Sequence, residues 1–170
     1  MLRRILRVLF ASGGTCLASQ AYAQAQLSDE IAAPGEIIVA GFHAEGAQIY
    51  ECKADGNGKL AWQFREPIAA LIIDGKTVGR HYGGPTWELA DGSAVAGKLV
   101  AKSPGKTAKD IPWLKLSVAS ARGSGQLSGV TTIQRINTVG GVAEGLCDKA
   151  GSFQSVAYSS DYVFLKKDRP

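Results

Sequence analysis

Histidine occurs only twice in this chain, at His43 and His81, and cysteine three times, at Cys16, Cys52 and Cys147. Neither histidine has a His, Cys or acidic partner at a recognised ligand spacing, so no metal site is expected. The patterns G-x-S-x-G, H-E-x-x-H and C-x-x-C and the P-loop are missing. Their absence removes nucleophile-elbow hydrolases, zincins, dithiol redox proteins and phosphate-cradling NTPases. Gly56-Asn57-Gly58-Lys59-Leu60-Ala61 superficially matches a dinucleotide fingerprint, but it falls in a predicted hairpin turn rather than between a strand and a helix. No cofactor is expected. Beyond the N-terminal segment, every hydrophobic run is interrupted by Gly, Lys, Asp or Glu well short of the roughly 20 residues that cross a bilayer.

What the N-terminus does contain is an export pattern. Arg3, Arg4 and Arg7 precede an apolar stretch over residues 8–18, and Ala21-Tyr22-Ala23 supplies the small residues a signal peptidase inspects. Residues 1–23 are therefore expected to be a signal peptide, which implies a periplasmic or secreted protein with no integral membrane span after cleavage. Cys16 follows Gly13-Gly14-Thr15 rather than a lipobox, so a lipid anchor is not expected. Cleavage removes three cations and no acid, and the formal charge of +4 becomes 4 − 3 = +1. The remaining cations are scattered, which argues against a nucleic-acid partner, since phosphate binding needs them clustered. A small molecule, a sugar or an envelope protein is the partner class that remains.

The mature length, 170 − 23 = 147 residues, suits one domain. Cleavage leaves Cys52 and Cys147, which are expected to pair in an oxidising compartment, the alternative being two buried thiols. After a loose leader over residues 24–35, one β domain is expected over residues 36–170. Its candidate strands are 37–42, 47–53, 60–65, 68–73, 77–82, 86–90, 94–102, 113–121, 127–137 and 155–166, separated by turn signals such as Asp74-Gly75, Asp91-Gly92 and Ser103-Pro104-Gly105. Alternation supports strands: Leu114, Leu116 and Val118 share one side of a pleat, and Val156, Tyr158, Ser160, Tyr162 and Phe164 share another. The expected fold is all-β, a single antiparallel β-barrel or two-sheet sandwich of about ten strands, tied by a disulfide. Residues 138–147 read as a Gly-rich flexible connection pinned by Cys147.

The densest cluster of functional residue types spans residues 79–93, with ligand-binding candidates His81, Tyr82, Trp87, Glu88 and Asp91 around a Gly83-Gly84-Pro85 turn. If Tyr82 and Trp87 pair across that hairpin, His81, Glu88 and Asp91 lie near a shared rim. A histidine beside a carboxylate can serve as a general base, and aromatic faces with polar neighbours suit a small molecule or sugar. The same residues also read as core and turn, with Trp87 and Leu89 pointing inward. No complete catalytic set is present, so a non-catalytic binding module leads. Its alternatives are a metal-free hydrolase or isomerase using His81 with Asp91 or Glu88, or an inhibitor acting through a protruding loop at 83–85 or 138–145. Trp62, Phe64 and Trp113 read as core anchors. Tyr158 and Tyr162 would place two hydroxyls in a barrel interior or mouth, each needing a partner.

The segments Gly46-Ala47-Gln48-Ile49-Tyr50-Glu51-Cys52, residues 79–93, Ile111-Pro112-Trp113-Leu114, Ile133-Gln134-Arg135-Ile136-Asn137-Thr138-Val139-Gly140-Gly141 and Tyr158-Ser159-Ser160-Asp161-Tyr162 resemble, in this order, the pattern of the exported family called domain of unknown function 3455. That resemblance implies a secreted or periplasmic β-rich domain and transfers no activity. A partial likeness to the small periplasmic lysozyme inhibitors rests on Tyr50-Glu51-Cys52 and the late Cys147. Their Ser-Gly-x-x-Tyr loop is matched only by Gly79-Arg80-His81-Tyr82, without the serine, in a longer domain.

Overall fold

The computed structural model describes residues 27–168, so the expected signal peptide over residues 1–23 lies outside the described residues. Among the described residues there are eight strands, β1 (Glu36–Ala54), β2 (Leu60–Ile73), β3 (Lys76–Tyr82), β4 (Thr86–Leu89), β5 (Ala94–Ser103), β6 (Trp113–Arg122), β7 (Thr132–Gly140) and β8 (Phe153–Lys167). Each pairs antiparallel with the next, and β8 returns to pair with β1, closing a barrel. Closure leaves every strand with a neighbour on both sides, which resolves barrel against sandwich.

The strand count is eight rather than about ten because two pairs of expected strands are continuous. Segments 37–42 and 47–53 both belong to β1, and 60–65 and 68–73 both belong to β2. Gly46 is not a break: a Cβ there would collide with the Ile68 carbonyl and Ala69, so the glycine lets β1 and β2 approach closely. Pro67 is accommodated opposite Gln48, next to a register shift between Ile49 and Tyr50 where the ladder is already irregular.

Apolar side chains fill the interior. Phe42, Leu71, Trp87, Val95, Leu116, Ile133, Tyr162 and Phe164 are all buried within one cluster, each contributing about 1.5–3 kcal/mol on leaving water. In β8 the expected alternation holds, with Tyr158, Ser160, Tyr162 and Phe164 buried and the first and third hydroxyls 3.3 Å apart. The exterior carries charge, for example the His43–Asp161 contact at 2.9 Å.

The leader is docked rather than loose from residue 27 onward. Ile31 is 0% exposed and packs with Trp113, Ile136, Val163 and Leu165 on the outer face of β6, β7 and β8. Gln134 Nε2 donates to the Ile31 carbonyl at 2.6 Å, and Lys115 Nζ to the Ala32 carbonyl at 2.6 Å. Without this cover, those outer side chains would face water.

Cys52 and Cys147 are bonded, with Cα atoms 5.8 Å apart, tying the end of β1 to the segment that precedes β8. The Gly-rich connection is less free than its composition suggests. Thr138 and Gly140 belong to β7; Thr138 Oγ1 donates to the Ile111 carbonyl at 2.6 Å, and Gly140 N to Asp110 Oδ1 at 2.7 Å. The Tyr50 hydroxyl donates to the Gly141 carbonyl at 2.7 Å.

Candidate functional site

The β3–β4 hairpin sets the site, and its register differs by one residue from the expected pairing. Tyr82 faces Thr86, His81 faces Trp87 and Arg80 faces Glu88. A shift of one residue moves a side chain to the other side of a sheet. His81 and Trp87 consequently point together into the barrel, while Arg80, Tyr82 and Glu88 share the outer face.

Inside, the His81 ring stacks on Trp87 with centroids 4.3 Å apart and planes 10° apart, and Tyr162 from β8 meets both rings edge-on. Gly97 of β5 makes room for this, since a Cβ there would lie 3.1 Å from Trp87 Cζ3. His81 Nδ1 lies 2.9 Å from the Thr86 carbonyl, a geometry that suits the tautomer donating from Nδ1. Burial pushes the His81 pKa down to about 3, so the ring is neutral at physiological pH.

Outside, Glu88 Oε2 accepts from the Tyr82 hydroxyl at 2.8 Å, from Arg80 Nη2 at 3.0 Å and lies 2.8 Å from Arg122 Nη2. The Tyr82 hydrogen bond first, then that from Arg80, holds the Glu88 carboxyl below its ordinary range. Asp91 builds a turn, accepting from the Ser93 amide and hydroxyl at 2.8 and 2.6 Å and from the Gln126 amide at 2.7 Å. The Ser93 hydroxyl is the main cause of its lowered pKa. The shared rim expected for His81, Glu88 and Asp91 does not form. Both carboxylates are engaged elsewhere, and His81 is paired with a backbone carbonyl.

His81 and Trp87 instead line a cavity of about 450 Å³ at one mouth of the barrel. Its wall is mostly apolar and aromatic, including Tyr50, Trp87, Leu116 and Tyr162, and Phe64 and Leu99, each 54% exposed, form part of its rim. Phe64 is thus a rim residue rather than the core anchor expected, held edge-on to Tyr50 at 5.9 Å. The polar lining is Gln48, Arg65, His81 and Arg135, and no Asp or Glu is among the described residues that line it. Eight strands enclose an interior wide enough for side chains or one small ligand, and this volume falls within the range of ligand pockets, about 300–1,000 Å³.

Arg135 stands on β7, where Nε and Nη2 donate to the Pro112 carbonyl at 3.1 and 2.8 Å. Among the described residues it enters no salt bridge. Burial dominates the shifts of His81, Tyr50 and Tyr158, and the charge of Arg135 acts on all three. Arg65, by contrast, pairs with Glu66 at 3.2 Å and lies over the Phe153 ring at 4.8 Å. Trp87 Nε1 is a buried N–H donor with no protein acceptor.

Gln48, Tyr50 and Arg135 were not among the sequence candidates. The available signal was an arginine at the same pleat phase as Ile133, but Gln134 and Ile136 on the other phase are buried as well, under the leader, so alternation did not single out an inner face. Among the described residues, no group of three or more His, Cys, Asp or Glu side chains converges to hold a metal ion, and no helix is long and apolar enough to cross a membrane.

No curated protein and no solved structure matches the chain significantly. Over residues 32–166 it does match the family described as Protein of unknown function (DUF3455), and the chain belongs to that family.

Proposed function

We propose that this protein is an exported, non-catalytic binding module that holds one small molecule in the mouth of its barrel. The observation that carries the reading is the cavity of about 450 Å³ walled by His81, Trp87, Tyr50 and Tyr162, with few polar groups among apolar ones. That balance is the usual make-up of a ligand site. The Cys52–Cys147 bond favours a periplasmic or secreted location, where disulfides persist.

A hydrolase or isomerase built on His81 with Asp91 or Glu88 is disfavoured by the chemistry of the ring. A base whose conjugate acid titrates near 3 holds a proton too weakly to drive abstraction at neutral pH, and neither carboxylate is its hydrogen-bond partner.

The test uses the neutral fluorophore N-phenyl-1-naphthylamine titrated into the purified protein. Saturable 1:1 binding is expected, weakened at least tenfold by Leu114→Trp, which adds bulk to the cavity wall. Absence of binding, or binding indifferent to this substitution in a variant with unchanged near-UV circular dichroism, would refute the proposal.

A further inference from the structure

We infer that the ligand is a compact apolar monoanion, a carboxylate on a flat hydrophobic body, with the Arg135 guanidinium as its counter-ion. This rests on the binding reading above and specifies its chemistry.

Charge in the cavity wall is unbalanced. A guanidinium partly withdrawn from water is costly unless it is paired. Arg135 is only partly exposed, and its hydrogen bonds go to the neutral Pro112 carbonyl, through Nε and Nη2. A guanidinium has five N–H donors, so two such bonds leave others uncommitted. Among the described residues, no carboxylate lines the cavity and none forms a salt bridge with Arg135. The other arginine of the wall, Arg65, has Glu66 as counter-ion and Phe153 beneath it. One uncompensated positive charge therefore remains in an otherwise hydrophobic mouth, which favours a single negative charge over a dianion such as a phosphate monoester.

The unmet hydrogen-bonding capacity has the same sign. Trp87 Nε1 is a donor without an acceptor, on a residue that is 1% exposed and contributes to the wall. It biases the local potential toward negative ligand atoms. A planar carboxylate also matches the two-pronged geometry of a guanidinium better than other monoanions of its size. The rest of the wall supplies aromatic and aliphatic contact, which fixes the body of the ligand as apolar.

Naphthalene-2-carboxylate and naphthalene-2-carboxamide provide the test, because they share one body and differ in charge. Calorimetric titration at low salt and neutral pH should give at least tenfold tighter binding for the carboxylate. In Arg135→Met the advantage should fall within twofold through loss of carboxylate affinity alone, and Arg135→Lys should restore part of it. Equal affinities in the wild-type protein, or an advantage that survives Arg135→Met, overturn the inference while leaving the binding module standing. Failure of both naphthalenes and of neutral N-phenyl-1-naphthylamine overturns the binding reading itself. If Arg135→Met does not fold, salt dependence of the wild type decides. Carboxylate affinity that drops with added NaCl while amide affinity holds supports the inference, and two salt-independent affinities refute it.

Discussion

Acidification from pH 7 to pH 5 should destabilise the fold through His81 alone by about 2 kcal/mol. His81 has a folded pKa of about 3 against an ordinary value of 6.5. The folded value is depressed, so the unfolded chain takes up a proton at this position first. Stability is fully present above pH 6.5 and is lost progressively as pH falls toward 3. At about 1.36 kcal/mol per unit, the 1.5 units between 6.5 and pH 5 correspond to about 2 kcal/mol. The groups around the ring explain why it resists protonation: Trp87 covers one face, Tyr162 meets its edge, and the Arg135 charge opposes a second cation. Glu88, Asp91 and Asp110, whose carboxyls are held low by hydrogen bonds, lose their contributions at more acid pH, so this window isolates histidine. Urea unfolding followed by far-UV circular dichroism at both pH values gives the slope for the wild type. His81→Asn, which retains a side-chain N–H for the Thr86 carbonyl, serves as the reference and cancels any part played by His43. Equal pH dependence in the two proteins would refute the burial argument and place His81 in contact with water.

Trp87→Ala should cost about 3–5 kcal/mol, because it empties a side chain that is 1% exposed and touches His81, Tyr162 and Phe164; Trp87→Phe should recover most of that in urea melts, and a cost below about 1 kcal/mol for the alanine would place Trp87 outside the core. Replacing Cys52 and Cys147 by serine opens a loop with a sequence separation of 95 and should lower stability by up to about 4–5 kcal/mol, with dithiothreitol producing a similar drop in the wild type and no change in the variant. Deleting residues 24–33 should uncover Trp113 and Ile136 and strand Gln134 Nε2, read as a lower melting temperature; an unchanged melting temperature would show that the leader contributes nothing to the fold.

How much of this was readable in advance differs from residue to residue. The pairing of Cys52 with Cys147 followed from compartment and parity, and the inward face of β8 from its period-two pattern. Strand number was misjudged because Gly46 and Pro67 ordinarily interrupt strands, whereas here one allows close strand approach and the other sits next to a bulge. In the candidate site, His81 and Trp87 were identified but Tyr82, Glu88 and Asp91 were grouped with them. A one-residue difference in hairpin register separates inside from outside, and a Gly-Gly-Pro turn does not announce its register.

Local chemistry thus determined the β-strand character, the turns, the disulfide and the presence of an export leader pattern, because each depends on residues close in sequence or on simple parity. Which side chains meet was decided only by closure of the barrel. Gln48 of β1, His81 of β3, Arg135 of β7 and Tyr162 of β8 converge on one cavity because β1 pairs with both β2 and β8. That convergence depends on pairings across most of the chain, and no short-range pattern encodes it.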